Sequence, residues 1–302
     1  MNEPPFSSLP EKTVVIVGVG LIGGSLAATI KKRQLAKTVI GVGRDASRIE
    51  AARLAGLIDE ATTDLGAAVH RADLIVFCTP VDRLAKDVRL AEAEIAKRIR
   101  PAPAGSDVEG PLLTDVGSVK SSICDELSDV SRFIGSHPIA GSHRQGYEAS
   151  DPNLFEGRTC VLTPLSHSPT TQIERLERFW QAVGMKTVRM TPAIHDQSLA
   201  LTSHLPHVVA SALAAILSAE NRQLTGTGFR DTTRVAAGDP GLWTGILMGN
   251  ADSVIRGIHG FQQSLERFRD AIARGDSQTL NSLLREGQAS RKALDQSPQR
   301  IE

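Results

Sequence analysis

Over the first half of the chain, short unbroken apolar runs alternate with longer stretches whose apolar residues recur every three or four positions. Residues 13–17 (TVVIV), 38–42 (TVIGV), 72–78 (ADLIVFC), 112–116 (LLTDV), 133–135 (FIG) and 159–163 (TCVLT) are the runs. Their length and β-branched content predict strands buried on both faces, as in a parallel sheet. Residues 25–34, 47–56, 81–100 and a segment from Ser121 carry the helical spacing. This alternation predicts an α/β Rossmann-like, doubly wound and mainly parallel sheet. The cluster 101–110 (PAPAGSDVEG) breaks the pattern and predicts an exposed loop.

The second half reads differently. Ile173, Leu176, Phe179 and Trp180 recur at helical spacing, and residues 195–220, 243–274 and 277–294 carry wide apolar helical faces. Little strand signal follows Met190. Such faces predict an all-helical unit whose apolar sides form a domain core or a dimer interface. The 302 residues suit two domains, placed here at 1–166 for the α/β unit and 167–302 for the helical one.

The first strand runs into GVGLIGG (18–24) and then a helix. This is the GxGxxG pattern in the context it needs. Gly18 permits the tight turn, Gly20 lets backbone approach a pyrophosphate, and Gly23 lets helix and strand pack closely. Leu21 and Ile22 open the helix, whose free N–H groups and dipole favour phosphate. At the tip of the second strand, an NAD-preferring site usually has a carboxylate. Here stands Gly43, followed by Arg44 and Asp45. A guanidinium at Arg44 suits a 2′-phosphate, so NADP is the expected cofactor, with NAD open through Asp45.

Composition removes several function classes. Lys+Arg and Asp+Glu are equal at 34, which argues against a general nucleic-acid or polybasic membrane surface. Aromatics are 4% with one tyrosine, too few for single-strand stacking platforms. Three scattered cysteines without a CxxC pair fit reduced thiols in a cytosol. The N-terminal residues lack a signal pattern, and the longest strongly apolar helix candidate, 208–219, is too short to span a bilayer. A cytoplasmic protein without nucleic-acid or membrane partners is expected.

Ligands of doubly wound sheets sit outside the carboxyl ends of the strands. Those ends are GVGLIGG, GVGRD, CTPV, DVGSVK and GSHPIAG, so His137, Ser118 and Thr79 are expected to face one crevice. The segment 135–146 (GSHPIAGSHRQG) has neither helical nor strand period and reads as a loop. His207 and His204 lie three residues apart in SHLPH, on one helical face. No third ligand at a familiar spacing completes a metal site, and none is expected.

The set GVGLIGGSLA, CTPVD, TDVGSVK, SHPIAGS, SHLPH and FRDTTR, in this order from Val14 to about Trp243, resembles the prephenate/arogenate dehydrogenase family of tyrosine biosynthesis. The resemblance implies a Rossmann domain followed by an all-helical dimerisation domain, and a homodimer. It implies oxidative decarboxylation of prephenate to 4-hydroxyphenylpyruvate with hydride transfer to NADP or NAD. The alternative is arogenate oxidised directly to tyrosine.

By resemblance His137 is the catalytic base or hydrogen-bond acceptor. Ser118 bonds the substrate hydroxyl, His137 or the nicotinamide amide, unless it serves only as a helix N-cap. Cys78, Thr79 and Pro80 touch the cofactor. His207 and Ser203 face the substrate, and Arg234, oriented by Asp231, grips a carboxylate. His204 is structural. Lys120 is expected to be solvated or capping. His143 stands where some members carry an acid, which favours prephenate over the ammonium of arogenate, or else is a bystander. Two rivals remain: a β-hydroxyacid-type dehydrogenase and a non-catalytic NADP sensor. The former uses a lysine on its helical domain, and residues 193–253 contain none.

Overall fold

The computed structural model describes residues 11–97, 110–141 and 144–296. Along the first part run β1 (Thr13–Val17), α1 (Leu21–Arg33), β2 (Thr38–Val42), α2 (Ala46–Leu54), β3 (Glu60–Thr62), α3 (Leu65–Val69) and β4 (Leu74–Phe77). There follow α4 (Val81–Ala96), β5 (Leu112–Asp115), α5 (Ser121–Glu126), β6 (Phe133–Pro138), β7 (Thr159–Thr163), α6 (Thr170–Val183) and β8 (Lys186–Arg189). All eight strands form one sheet in the order β3-β2-β1-β4-β5-β6-β7-β8. Every pairing is parallel except that of β6 with β7.

The central strands are buried on both faces, which is why they read as continuous apolar runs. Val14, Ile16, Leu74 and Val76 enter one core with α1 and α6. Val15, Val17, Ile75 and Phe77 enter the other with α4 and α5. Leu176, Phe179 and Trp180 of α6 are fully buried in the first of these cores. The boundary expected between residues 166 and 167 therefore falls inside the α/β unit, which runs on to β8. The strand β3 and helix α3 escaped the sequence reading because they are short, and β3 is nowhere fully buried.

The remainder is helical: α7 (Pro192–Leu199), a π-helical turn Ala200–His204, α8 (Leu205–Ala215), α9 (Thr227–Thr233), a 3-10 turn Arg234–Ala237, α10 (Pro240–Gly249), α11 (Ala251–Ala273) and α12 (Ser277–Gln296). The expected helix over 195–220 is thus interrupted, with Pro206 in the first turn of α8. Proline lacks the N–H that would continue the ladder and crowds the preceding turn, and a wide π turn relieves both. The expected helix over 243–274 breaks at Asn250, whose backbone leaves helical geometry at φ −125 and ψ 34. No described helix is long and apolar enough to cross a membrane. The loop expected at 101–110 lies outside the described residues except for Gly110.

Candidate active site

The glycine-rich turn is built as its sequence demands. Gly18 has φ +94, and a Cβ there would lie 2.9 Å from the Cys78 carbonyl oxygen. A Cβ on Gly23 would lie 2.1 Å from the Gly18 carbonyl oxygen, so only glycine lets α1 pack this close. Gly20 faces open space and is the N-cap of α1, without a side-chain cap or a first-turn acid. Leu21 and Ile22, half-buried, begin the helix. The N–H groups of this first turn are free to bind an anion.

Across from it, Thr79 Oγ1 is buried with no hydrogen-bond partner among the described residues. Pro80 is the exposed N-cap of α4. Burial pushes the Cys78 thiol far above the usual range, aided by the charge of Asp115, so it stays protonated. An open glycine, an uncapped helix start and an orphaned hydroxyl fit a dinucleotide phosphate and its ribose.

Arg44 is exposed at the tip of β2. Asp45 is the N-cap of α2: its Oδ1 accepts from Ser47 N at 2.9 Å, Arg48 N at 3.1 Å and the Ser47 hydroxyl at 2.6 Å. These bonds, led by that from the Ser47 side chain, hold the Asp45 carboxyl below its ordinary value.

His137 does not lie in a loop. It is the penultimate residue of β6, buried, and opposite Val161 of β7. Its Nδ1 lies 2.8 Å from Nε2 of His195, whose Nδ1 lies 2.7 Å from Asp196 Oδ1. The two rings meet edge-on at 63° with centroids 5.1 Å apart. Burial drives the His137 pKa well below the usual histidine value, with His195, Lys120 and His204 adding electrostatic opposition to a charge. A neutral acceptor results.

Lys120, expected to be solvated or capping, is not solvated: it stands at the N-cap position of α5 without a side-chain cap bond. Its side chain is 0% exposed and its ammonium pairs with Asp115, itself fully buried. Asp115 also accepts from Gly117 N at 2.8 Å and Ser136 N at 3.1 Å, which ties the DVGSVK turn to β6. Ser118, half-buried in that turn, does not cap α5, whose N-cap is Lys120. The start of α5 is capped from another helix: Asp196 accepts from Lys120 N and Ser121 N, both at 2.8 Å.

The helical half supplies a connected wall. Asn250 Nδ2 donates to the Asp196 carbonyl at 2.7 Å and lies 3.2 Å from His204 Nδ1. His204 meets Trp243 edge-on, and His207 stacks on Trp243 with centroids 3.6 Å apart. His207 Nδ1 is buried without a partner among the described residues. Ser203 is half-buried in the π turn, a feature often found at functional sites. Arg234 is exposed and opens the 3-10 turn that packs on α8. Among the described residues no ion pair joins Asp231 to Arg234, and no hydrogen bond joins Arg234 to His137. His143 lies outside the described residues.

Missed by the sequence reading were His195, Asp196, Asn250 and Trp243. A His-Asp dipeptide at a helix start was the available signal, but nothing local tied it to residue 137.

Comparison with known families now settles descent. Residues 26–189 match the nucleotide-binding domain of prephenate dehydrogenase and residues 191–286 its dimerisation domain. The chain belongs to the prephenate dehydrogenase family. The family's division after residue 189 coincides with the end of β8. A cyclohexadienyl dehydrogenase of Zymomonas mobilis is 34% identical, the match covering 94% of this chain and 96% of that protein. A prephenate dehydrogenase of Bacillus subtilis is 32% identical over 89% of this chain and 72% of its own length. Among solved structures, prephenate dehydrogenase from A. aeolicus in complex with hydroxyphenyl propionate and NAD+ superposes with a TM-score of 0.85. It is 31% identical, with 95% of this chain and 100% of that one covered. Arogenate dehydrogenase from Synechocystis gives a TM-score of 0.76 at 32% identity, covering 93% and 99%.

Proposed function

We propose that this prephenate dehydrogenase family member oxidises prephenate, a cyclohexadienol with a ring carboxylate and a 4-hydroxyl, and that His137 accepts the hydroxyl proton. The supporting observation is the buried, neutral imidazole at the end of β6, hydrogen-bonded from behind. A neutral imidazole accepts a proton near neutral pH. Bound beside it, a nicotinamide dinucleotide supplies the hydride acceptor. The turn at Gly18, Gly20, Leu21, Ile22 and Gly23 holds its pyrophosphate, and Cys78, Thr79 and Pro80 border it. Proton removal at the hydroxyl, hydride departure from carbon 4 and loss of carbon dioxide leave an aromatic phenolate, which takes back the proton held by His137 to give 4-hydroxyphenylpyruvate.

Ser118 bonds the substrate hydroxyl, while Arg234, His207 and Ser203 receive the carboxylates. The planar fork of arginine suits that role. NADP is the preferred dinucleotide, because Arg44 is exposed at the tip of β2 and the Asp45 carboxylate is turned to cap α2. Arogenate is the second reading, supported by the likeness to the Synechocystis enzyme. The cysteines are all free, which supports action in the cytoplasm.

The working unit is a homodimer formed by the helical half. Leu201, Ile216, Leu224, Met248, Ile255 and Ile272 are large apolar side chains left exposed there, which supports this reading. An apolar groove lined by Leu201, Leu205, Gly257 and Phe261 lies on the same part.

The decisive test is a rate matrix of prephenate, arogenate and simple hydroxyacids against NADP and NAD, followed at the nicotinamide absorbance. Fastest turnover of prephenate with NADP is expected. Turnover of hydroxyacids alone overturns the reading.

A further inference from the structure

His195 has no role in the reading above, yet its side chain is 0% exposed and lies between His137 and Asp196. Helix α7 brings it there. Thr191 caps the helix by accepting from Ile194 N, Pro192 stands in its first turn, and α7 packs on α5 and β7. The partners then dictate where protons sit. Asp196 is ionised: burial raises its pKa, but bonds from His195 and from the N–H groups of Ser121 and Lys120 outweigh this and lower it. A carboxylate only accepts. His195 must therefore carry its proton on Nδ1, and in the neutral ring Nε2 is an acceptor. That acceptor lies 2.8 Å from His137 Nδ1, which must donate.

A neutral histidine has two tautomers, and free imidazole side chains favour the proton on Nε2. In that form the outer nitrogen of His137 is a donor and cannot take a hydroxyl proton. The reverse arrangement would need a doubly protonated His195. That would add a buried cation to an interior that already holds the Lys120 ammonium, against a carboxylate already engaged by two backbone N–H groups.

We propose that His195 is a positioning residue: anchored by Asp196, it holds His137 in the Nδ1–H tautomer and so leaves His137 Nε2 as the acceptor. The inference rests on His137 being the proton acceptor of the proposed reaction. The same chain of bonds orients the His137 ring, since its neighbour His195 is held by Asp196, and Asp196 by the start of α5. An orienting carboxylate behind a catalytic imidazole does the same work in serine proteases; here an extra imidazole is interposed. The relay also spans the junction between the two family domains, with the acceptor on β6 and its anchor on the first helix beyond β8.

The test joins a spectrum to kinetics on the full-length enzyme with dinucleotide bound. Long-range 1H–15N correlation at pH 7.5, with His137 assigned by its absence in H137A, is expected to show the Nδ1–H tautomer. In H195N, whose amide does not reach His137, the resonance pattern moves toward Nε2–H. The kcat for prephenate falls about 10²–10⁴-fold, the range of a general-base contribution, while KM and dinucleotide affinity stay within about twofold. H195Q, which places an amide oxygen near the former Nε2, recovers part of kcat. D196N provides a second route should H195N fail to fold: it too shifts the tautomer and lowers kcat. An Nε2–H tautomer in the unmutated enzyme, or an H195N enzyme with kcat within about twofold of normal, overturns the proposal. Failure of the unmutated enzyme to oxidise prephenate would instead sink the reading of its function, and the tautomer is measured without turnover.

Discussion

At the scale of single residues, the site depends on charge states fixed by burial. His137 is neutral through the physiological range because burial opposes its cation. The acid limb of kcat/KM is therefore expected well below the ordinary histidine value of about 6.5, and a limb at or above it in a pH–rate profile would contradict that. His137→Ala should lower kcat by about 10²–10⁴-fold with dinucleotide affinity retained, measured by steady-state rates and fluorescence titration. Arg234→Ala should act mainly on KM for prephenate; an unchanged KM removes it from the carboxylate role. Arg44→Ala should erode the preference for NADP over NAD, read as the ratio of the two kcat/KM values.

The placement of these residues was partly legible in the chain itself. The glycines announced their turn because each spacing answers a steric demand of backbone on backbone. His137 stood out through its glycine and proline neighbours, although its strand was foreseen only over 133–135, since the Ser-His-Pro that completes it carries no apolar period. His195 and Lys120 were illegible for another reason. Their partners are 58 and 5 residues away along the chain, and only the fold says that a lysine five positions on turns inward to a strand-end carboxylate.

Elements make up the next scale. Gly23→Ala would drive a methyl into the Gly18 carbonyl, and an overpacked backbone contact costs about 1–3 kcal/mol. The expected result is a lower urea midpoint together with weaker dinucleotide binding. The break between α10 and α11 has its own acid sensitivity. Burial pulls His204 down to about 4, partly offset by Asp196. Between pH 6.5 and that value the unfolded chain binds the extra proton. Stability is complete above the ordinary histidine pKa and falls as pH drops through the window, by on the order of 3 kcal/mol from this group. Urea midpoints at pH 7.5 and pH 5 should show the loss, and His204→Asn should reduce it.

Strands were easier to foresee than helix ends. A doubly buried strand must be apolar throughout, so its sequence is its signature, whereas Pro206 and Asn250 interrupt helices whose apolar spacing continues across the break. The domain boundary was misplaced for a related reason. The face of α6 that carries Trp180 looks the same whether it packs on a sheet or on other helices.

For the whole molecule, the proposed homodimer is tested at the exposed apolar residues of the helical half. Leu201→Glu combined with Ile255→Glu should convert a dimer into a monomer, as seen by light scattering at micromolar concentration, because a charge cannot be buried unpaired at an interface. An unchanged mass would place the interface elsewhere. Activity should fall with the dimer if Arg234 is completed by the second subunit.

Asp196 caps a helix of the nucleotide-binding half while belonging to the half that follows. Chimaeras between family members joined at residue 190 would thus inherit a mismatched seam unless the residues at 120, 121, 137, 195 and 196 travel together. Shuffled halves that bind dinucleotide but turn over slowly are the signature of that mismatch, and the two parts of this enzyme are bound to diverge in step.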